Sequence, residues 1–277
     1  MNRLEQKFQQ SQETKRKLLV PFITAGDSSP DVTVPLMHEM VTAGADVIEL
    51  GIPFSDPMAE GPVIQKANER ALEHHVSLQD VLEMVKAFRS QNSETPVVLM
   101  GYLNPIEVTG YDAFAAAAAQ AGVDGVITVD MPPEEAGDYL QAFEKYQLAP
   151  VFLLSPTSQD QRIEKICAAS RGFVYYVSLK GVTGAGHLDV TEVKEKFMHI
   201  REMTDLPIGV GFGIKDGHSA ARIAEFADAV IVGSAIVSRI AEYAATPSQI
   251  APAVTALIRE IREGIDHPQK FLSENNS

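Results

Sequence analysis

The chain has 277 residues, 45% of them hydrophobic and 22% charged, and its 37 Asp+Glu against 23 Lys+Arg give a formal net charge of −14. That acidic excess argues against a polyanion-binding surface, because nucleic-acid affinity rests on Lys and Arg neutralising phosphates, and no stretch approaches a bilayer-spanning length. Cys167 is the only cysteine, which excludes an intrachain disulfide and a multi-cysteine metal site, while the polar residues 1–17 lack the apolar core of a secretory signal, so a cytoplasmic protein is expected.

In chain order, an amphipathic stretch (residues 4–12) precedes a first apolar run (18–23) and a segment of helical period (32–43). A second strand is expected at 46–50, followed by helices over 63–74 and 78–89. Strands then follow at 97–100, 125–129, 150–154, 173–177, 208–210 and 229–232, with helical segments at 111–121, 159–170, 191–203 and 217–226 between them. The strands read as continuous apolar runs, as parallel strands covered on both faces do. Eight such strand–helix units predict an α/β fold, a closed (β/α)8 TIM barrel with an extra N-terminal helix and additional helices, better than a doubly wound sheet. No linker divides the chain, so residues 1–277 are expected to be one domain, with a core at about 15–262 and a polar tail, 268–277, expected to fray.

Several motifs fail on spacing. Gly209, Gly211 and Gly213 miss the dinucleotide fingerprint, and the Gly181 to Gly186 gap is followed by His187 and Leu188 where a triphosphate loop needs Lys and Ser/Thr. His38-Glu39 lacks a second histidine, Thr42 standing in its place, so no catalytic metal is expected. Cys167 sits in a helical apolar stripe, as structural thiols do.

What survives lies at the ends of the strands. Glycine-containing turns follow strands six, seven and eight, at Gly181 and Gly184, Gly211 and Gly213, and Gly233-Ser234. Such turns converge at the C-terminal face of a barrel and let backbone N–H groups approach an anion, and Ser234 also opens a helix, so a phosphate is expected there. Glu49 ends strand two among apolar residues, where burial raises a carboxyl pKa towards that of a general acid/base. Glu60 follows in the loop 51–62; alone it reads as solvated, but two converging carboxylates can deliver a proton at one atom and serve a second one nearby. Phe22, Met100, Tyr102, Ile127, Leu153, Tyr175 and Phe212 lie at strand ends and together suit a flat apolar ring beside the phosphate.

At this point the sequence resembles a family. The runs 21–27, 49–62 and 100–102 with Asn104-Pro105, Asp130 with Pro132, and the turns 181–184 and 211–214 are similar in order and spacing to the α subunits of tryptophan synthase, from about residue 4 to 262. The resemblance implies a carbon–carbon lyase that cleaves indole-3-glycerol phosphate to indole and glyceraldehyde 3-phosphate by a retro-aldol step. It implies Glu49 as the acid/base and position 60 as the carboxylate that holds the indole N–H. Tyr175 would lie near the reacting centre, and Thr183 would orient the carboxylate at position 60 when its loop closes. Gly184, Gly213, Gly233 and Ser234 would cradle the phosphate, and Phe22, Tyr102, Ile127 and Phe212 would hold the indole. No cofactor is implied in this chain; pyridoxal phosphate would belong to a β subunit in an α₂β₂ assembly, docked on residues 53–62 and 104–109.

Position 60 departs from the family pattern, which has Asp where this chain has Glu60. The extra methylene adds roughly 1.5 Å of reach, so a compensating shift of the loop is expected. Lys180 and Gly186-His187 also differ from the pattern. Two other readings stand beside the lyase: another phosphate-binding barrel enzyme, disfavoured because strand two carries Glu49 rather than a catalytic lysine, and a regulatory subunit that binds but turns over poorly.

Overall fold

The computed structural model describes residues 1–177, 190–211 and 213–273. Its parallel strands are β1 (Leu18–Thr24), β2 (Ile48–Gly51), β3 (Val97–Tyr102), β4 (Gly125–Val129), β5 (Ala149–Val151), β6 (Leu153–Leu154), β7 (Val174–Val177), β8 (Ile208–Gly211) and β9 (Ala229–Val232). They lie in the order β5-β4-β3-β2-β1-β9-β8-β7-β6. The two ends of that order are consecutive in the chain and separated only by Phe152, so the sheet closes into the expected (β/α)8 barrel. The single strand expected at 150–154 is thus two pieces, one paired with β4 and the other with β7. Phe152 sits at the switch: its carbonyl accepts from the Tyr175 N–H at 3.1 Å while its ring packs against Tyr139.

Alternation along each strand separates two cores. Val20, Val47, Val98, Ile127, Val151 and Ile231 meet inside the barrel, whereas Leu19, Ile48, Leu99, Val126 and Val210 pack with the surrounding helices. Both faces are apolar for that reason, which is why the strands read as unbroken runs. The base of the barrel is plugged by the helix Arg3–Thr14, which a capping box at Asn2 and Glu5 starts. Leu4 and Phe8 join the inner cluster, with Phe8 5.2 Å from the Phe173 ring. Gly172 leaves room for Leu4; a Cβ there would stand 2.8 Å from its Cδ2. Arg3 and Arg89 grip the buried Asp124 at 2.8 and 2.7 Å.

The helix Leu78–Arg89 extends the second crossover as expected. Helices at Leu103–Thr109, Gly137–Lys145 and Ile250–Asp266 complete the outer ring, the last running past the expected core boundary at 262. The tail corrects an expectation: Pro268–Leu272 is a helix rather than a frayed end. Its polarity concealed one anchor, Phe271, whose ring fills the space above Gly217, where a Cβ would meet it at 2.5 Å. Lys270 adds an ion pair to Glu263. Residues 274–277 lie outside the described residues. Among the described residues no helix is long and apolar enough to cross a membrane.

Candidate active site

The C-terminal ends of the strands carry the charged groups that the apolar interior would otherwise exclude. Glu49 lies on β2 in register with Phe22 on β1 and Val98 on β3, both buried. It is 1% exposed, and its Oε2 has no hydrogen-bond partner among the described residues. A buried carboxyl whose oxygen lacks a donor favours its neutral form. Burial, and after it the nearby charge of Glu60, push Glu49 up to about 8. At neutral pH it therefore holds a proton that it can give.

Glu60 stands at the end of the loop that joins β2 to the helix Pro62–Glu73, and burial pushes its carboxyl up to about 7. The loop is tied down along its length. Ile52 N–H donates to the Met100 carbonyl at 2.7 Å, Phe54 N–H to Asn68 Oδ1 at 2.9 Å and Ala59 N–H to the Tyr102 hydroxyl at 2.9 Å. Gln65 Nε2 donates to the Glu60 carbonyl at 2.8 Å. One face of Tyr102 is stacked on Phe54, with centroids 5.0 Å apart, so this residue holds the loop as well as lining the site. Burial pushes its phenol up to about 12.

Tyr175 projects from β7 towards both carboxylates. Its phenol is raised well above the ordinary value by burial and by Glu49 and Glu60, so it stays a neutral hydrogen-bonding group. Gly211 on β8 gives it room: a Cβ there would lie 2.5 Å from the Tyr175 hydroxyl. Met100, Leu153 and Tyr175 pack on the inner cluster that contains Ile127, which is fully buried and forms the layer beneath them.

Beside Phe22 lies an uncapped helix start. Gly233 precedes the helix Ser234–Glu242, whose first turn has no side-chain cap, and uncapped N–H groups with the helix dipole favour negative charge. Gly213 turns at φ +49°, in the left-handed region. Phe22 joins the two sides. A Cβ on Gly51 would strike its ring at 2.7 Å, and one on Gly233 would lie 3.7 Å from the same side chain.

Two cavities open here. A small one of about 10 Å³ is shared by Glu60, Phe22, Thr24, Asn68, Met100 and Tyr102. A larger one of about 450 Å³ lies at the ends of β4 to β7, between Val129, Asp130, Leu153, Ser155, Arg162 and Val177. Neither Glu49 nor Glu60 lines the larger cavity. The structure therefore brings together Glu49, Glu60, Tyr175, Phe22, Met100 and Tyr102, places Leu153 on the larger cavity, and sets Gly233 and Ser234 at the uncapped helix start beside Phe22, with Gly213 two residues beyond the end of β8. Thr183, Gly184 and Phe212 lie outside the described residues.

Three residues escaped the sequence reading. Thr24 and Val129 share the inward parity of Phe22 and Ile127, two residues before them, so period-two counting carried to the strand ends would have found both. Asn68, which holds the loop at Phe54, had no signal, because a polar residue on a helix ordinarily faces water. Among the described residues no three His, Cys, Asp or Glu side chains gather as a metal site.

The family model described as tryptophan synthase alpha chain matches residues 8–266. A tryptophan synthase alpha chain of Thioalkalivibrio sulfidiphilus is 60% identical over 96% of this chain and 100% of its own length, and one of Methylococcus capsulatus is 57% identical with the same coverage. The crystal structure of tryptophan synthase subunit alpha from Legionella pneumophila superposes with a TM-score of 0.91 at 48% identity, covering 96% of this chain and 99% of that one. A crystal structure of tryptophan synthase from M. tuberculosis in an aminoacrylate-bound form matches at 35% identity with a TM-score of 0.85, over 96% of this chain and 100% of that chain.

Proposed function

The chain belongs to the tryptophan synthase alpha chain family, and from that premise we propose that Glu49 is its proton-transfer group and Glu60 the carboxylate that stabilises the reacting indole. The reaction of the family is the cleavage of indole-3-glycerol phosphate to indole and glyceraldehyde 3-phosphate. The alpha chain assembles with a β subunit that carries pyridoxal phosphate and consumes the indole; the alpha chain itself needs no cofactor.

The observation that carries the assignment is Glu49: a buried carboxyl with an unpartnered oxygen, held neutral, in register with the Phe22 ring. Neutral Glu49 gives its proton to indole C3, and the ring nitrogen becomes an iminium. Ionised Glu60 holds that N–H and stabilises its positive charge. The bond to the glycerol carbon then breaks, its electrons restore the aromatic ring, and the glycerol hydroxyl proton passes to the Glu49 carboxylate. Glu49 ends as it began, so one residue serves as acid and then base with no net proton uptake. Tyr175 stands beside the pair as a neutral donor. The helix at Ser234 and the Gly213 and Gly233 backbone hold the phosphate, joined by Gly184, and Thr183 steadies Glu60. Phe22, Met100, Tyr102 and Leu153 enclose the indole over the layer that Ile127 forms, and the family resemblance adds Phe212.

The loop 53–62 and the helix Leu103–Thr109 form the docking surface in this reading. Met58 and Val108 are 89% and 82% exposed, unusual for large apolar side chains and suited to a protein partner. A biosynthetic enzyme of this kind works in the cytoplasm. Steady-state indole release by the purified chain, alone and with a β subunit and serine, tests the assignment. Slow release that rises with the partner and vanishes in Glu49→Gln supports it. No release in either condition, with substrate bound, makes the chain a regulatory subunit.

A further inference from the structure

Thr24 ends β1 at the rim of the barrel, and no step described above uses it. Its side chain shares the inward face of Phe22, is 2% exposed, and its Oγ1 has no hydrogen-bond partner among the described residues. An unpaired buried hydroxyl is costly because it has left water without gaining a partner, and such groups call for an explanation. Thr24 stands in register with Gly51, which has no side chain to cover it, and both line the cavity of about 10 Å³ that Glu60 also lines. Of the other polar side chains on that cavity, Asn68 accepts from Phe54 N–H and donates to the Ile64 carbonyl, and the Tyr102 oxygen accepts from Ala59 N–H, which fixes that phenol on the loop side. The Glu60 carboxylate accepts from none of the described residues, while its backbone is fixed by the Glu60 N–H to Pro57 and Gln65 to Glu60 contacts. A space of that size holds one water or the last methylene of a longer side chain.

We propose that Thr24 is a positioning residue for Glu60: its hydroxyl donates to the Glu60 carboxylate across this cavity, directly or through one water, and sets where the longer side chain meets the indole N–H. The fit accounts for the glutamate. An aspartate at this position would end roughly 1.5 Å short of where glutamate ends, so glutamate brings the carboxylate nearer to the buried hydroxyl, which in the substrate-free chain has no partner among the described residues. The proposal rests on Glu60 being the carboxylate that holds the substrate.

The test is a double-mutant cycle on indole release from indole-3-glycerol phosphate by the full chain with its β subunit, using Thr24→Val, Thr24→Ser, Glu60→Asp and the combination of Thr24→Val with Glu60→Asp. Valine keeps the shape of threonine and removes the donor. Thr24→Val is expected to lower kcat about tenfold with KM within about twofold, and Thr24→Ser to recover to within about threefold of the parent. Losing a donor to the ionised carboxylate raises its pKa, so the acid limb of the rate profile moves to higher pH in Thr24→Val. The titratable groups facing Glu60 are Glu49 on β2, Tyr102 on β3 and Tyr175 on β7; all remain in both proteins, so the difference between profiles belongs to Thr24. In the Glu60→Asp background the same valine is expected to change kcat less than twofold. An unchanged kcat and profile in Thr24→Val, or an equal loss in both backgrounds, overturns the proposal. If Thr24→Val is poorly folded, Thr24→Ser in the two backgrounds decides by the same inequality. Full activity in Glu60→Gln would instead overturn the role of Glu60 itself, a result separable from every outcome of the cycle.

Discussion

Replacing Glu49 with glutamine keeps the side chain's shape and removes its titration. The folded state holds this carboxyl at about 8 against an ordinary value of 4.5. Between those values the folded protein keeps a proton that the unfolded chain has released, so stability falls as pH rises, by about 1.4 kcal/mol per unit. The contribution is fully present below about pH 4.5 and lost as pH climbs to about 8. From pH 5.5 to 7.5 the parent should therefore lose on the order of 2 kcal/mol that Glu49→Gln does not lose. Glu60, also raised, titrates in both proteins, so the difference between the two curves isolates Glu49. Urea unfolding of both proteins at the two pH values measures it, provided m is unchanged. A difference constant to within about 0.5 kcal/mol would refute the buried, unpartnered carboxyl. The same variant should lose at least about a hundredfold in turnover, because an amide neither gives nor accepts the proton.

Turnover against pH should be bell-shaped, rising as Glu60 ionises near 7 and falling as Glu49 ionises near 8, with the two apparent values belonging to the pair. A flat profile from pH 6 to 9 contradicts this. Glu60→Asp draws the carboxylate back by roughly 1.5 Å and should lower kcat ten- to a hundredfold, on the order expected for a misplaced group; a gain would show that the loop is not fitted to glutamate. Met58→Asp and Val108→Asp, on exposed side chains outside the pocket, should weaken β-subunit binding at least about tenfold by titration while stand-alone indole release stays within about twofold.

The barrel was legible because both faces of its strands are apolar and the connections have helical period, two signals that do not depend on distant contacts. Glu49 was legible for the same reason: a charge inside an apolar run is an anomaly whatever the fold. Glu60 was legible only through its pairing with Glu49 and the family resemblance, since a loop glutamate by itself looks solvated until Tyr102, Gln65 and Asn68 are seen to pin the loop. The break at Phe152 was invisible because the residues on either side of it are ordinary strand formers and only the change of partner from β4 to β7 interrupts them. Phe271 was hidden in a polar tail, and its anchor, the bare surface of Gly217, lies more than fifty residues away in sequence.

In the proposed assignment, Tyr102 links the docking surface to the chemistry. It ends β3, so the helix Leu103–Thr109 with exposed Val108 follows it directly, while its hydroxyl receives the Ala59 N–H between exposed Met58 and Glu60. A partner that closes over Met58 and Val108 therefore presses on two segments that meet at one phenol, one residue from the carboxylate that must hold the indole. A single neutral hydrogen bond at 2.9 Å contributes only about 1 kcal/mol, too little to fix the loop alone against thermal motion, and enough to tip it once contacts on both exposed side chains are added. Dependence of turnover on assembly then needs no relay through the barrel. It would follow from Glu60 sitting on the same short loop as Met58, the side chain proposed to meet the partner.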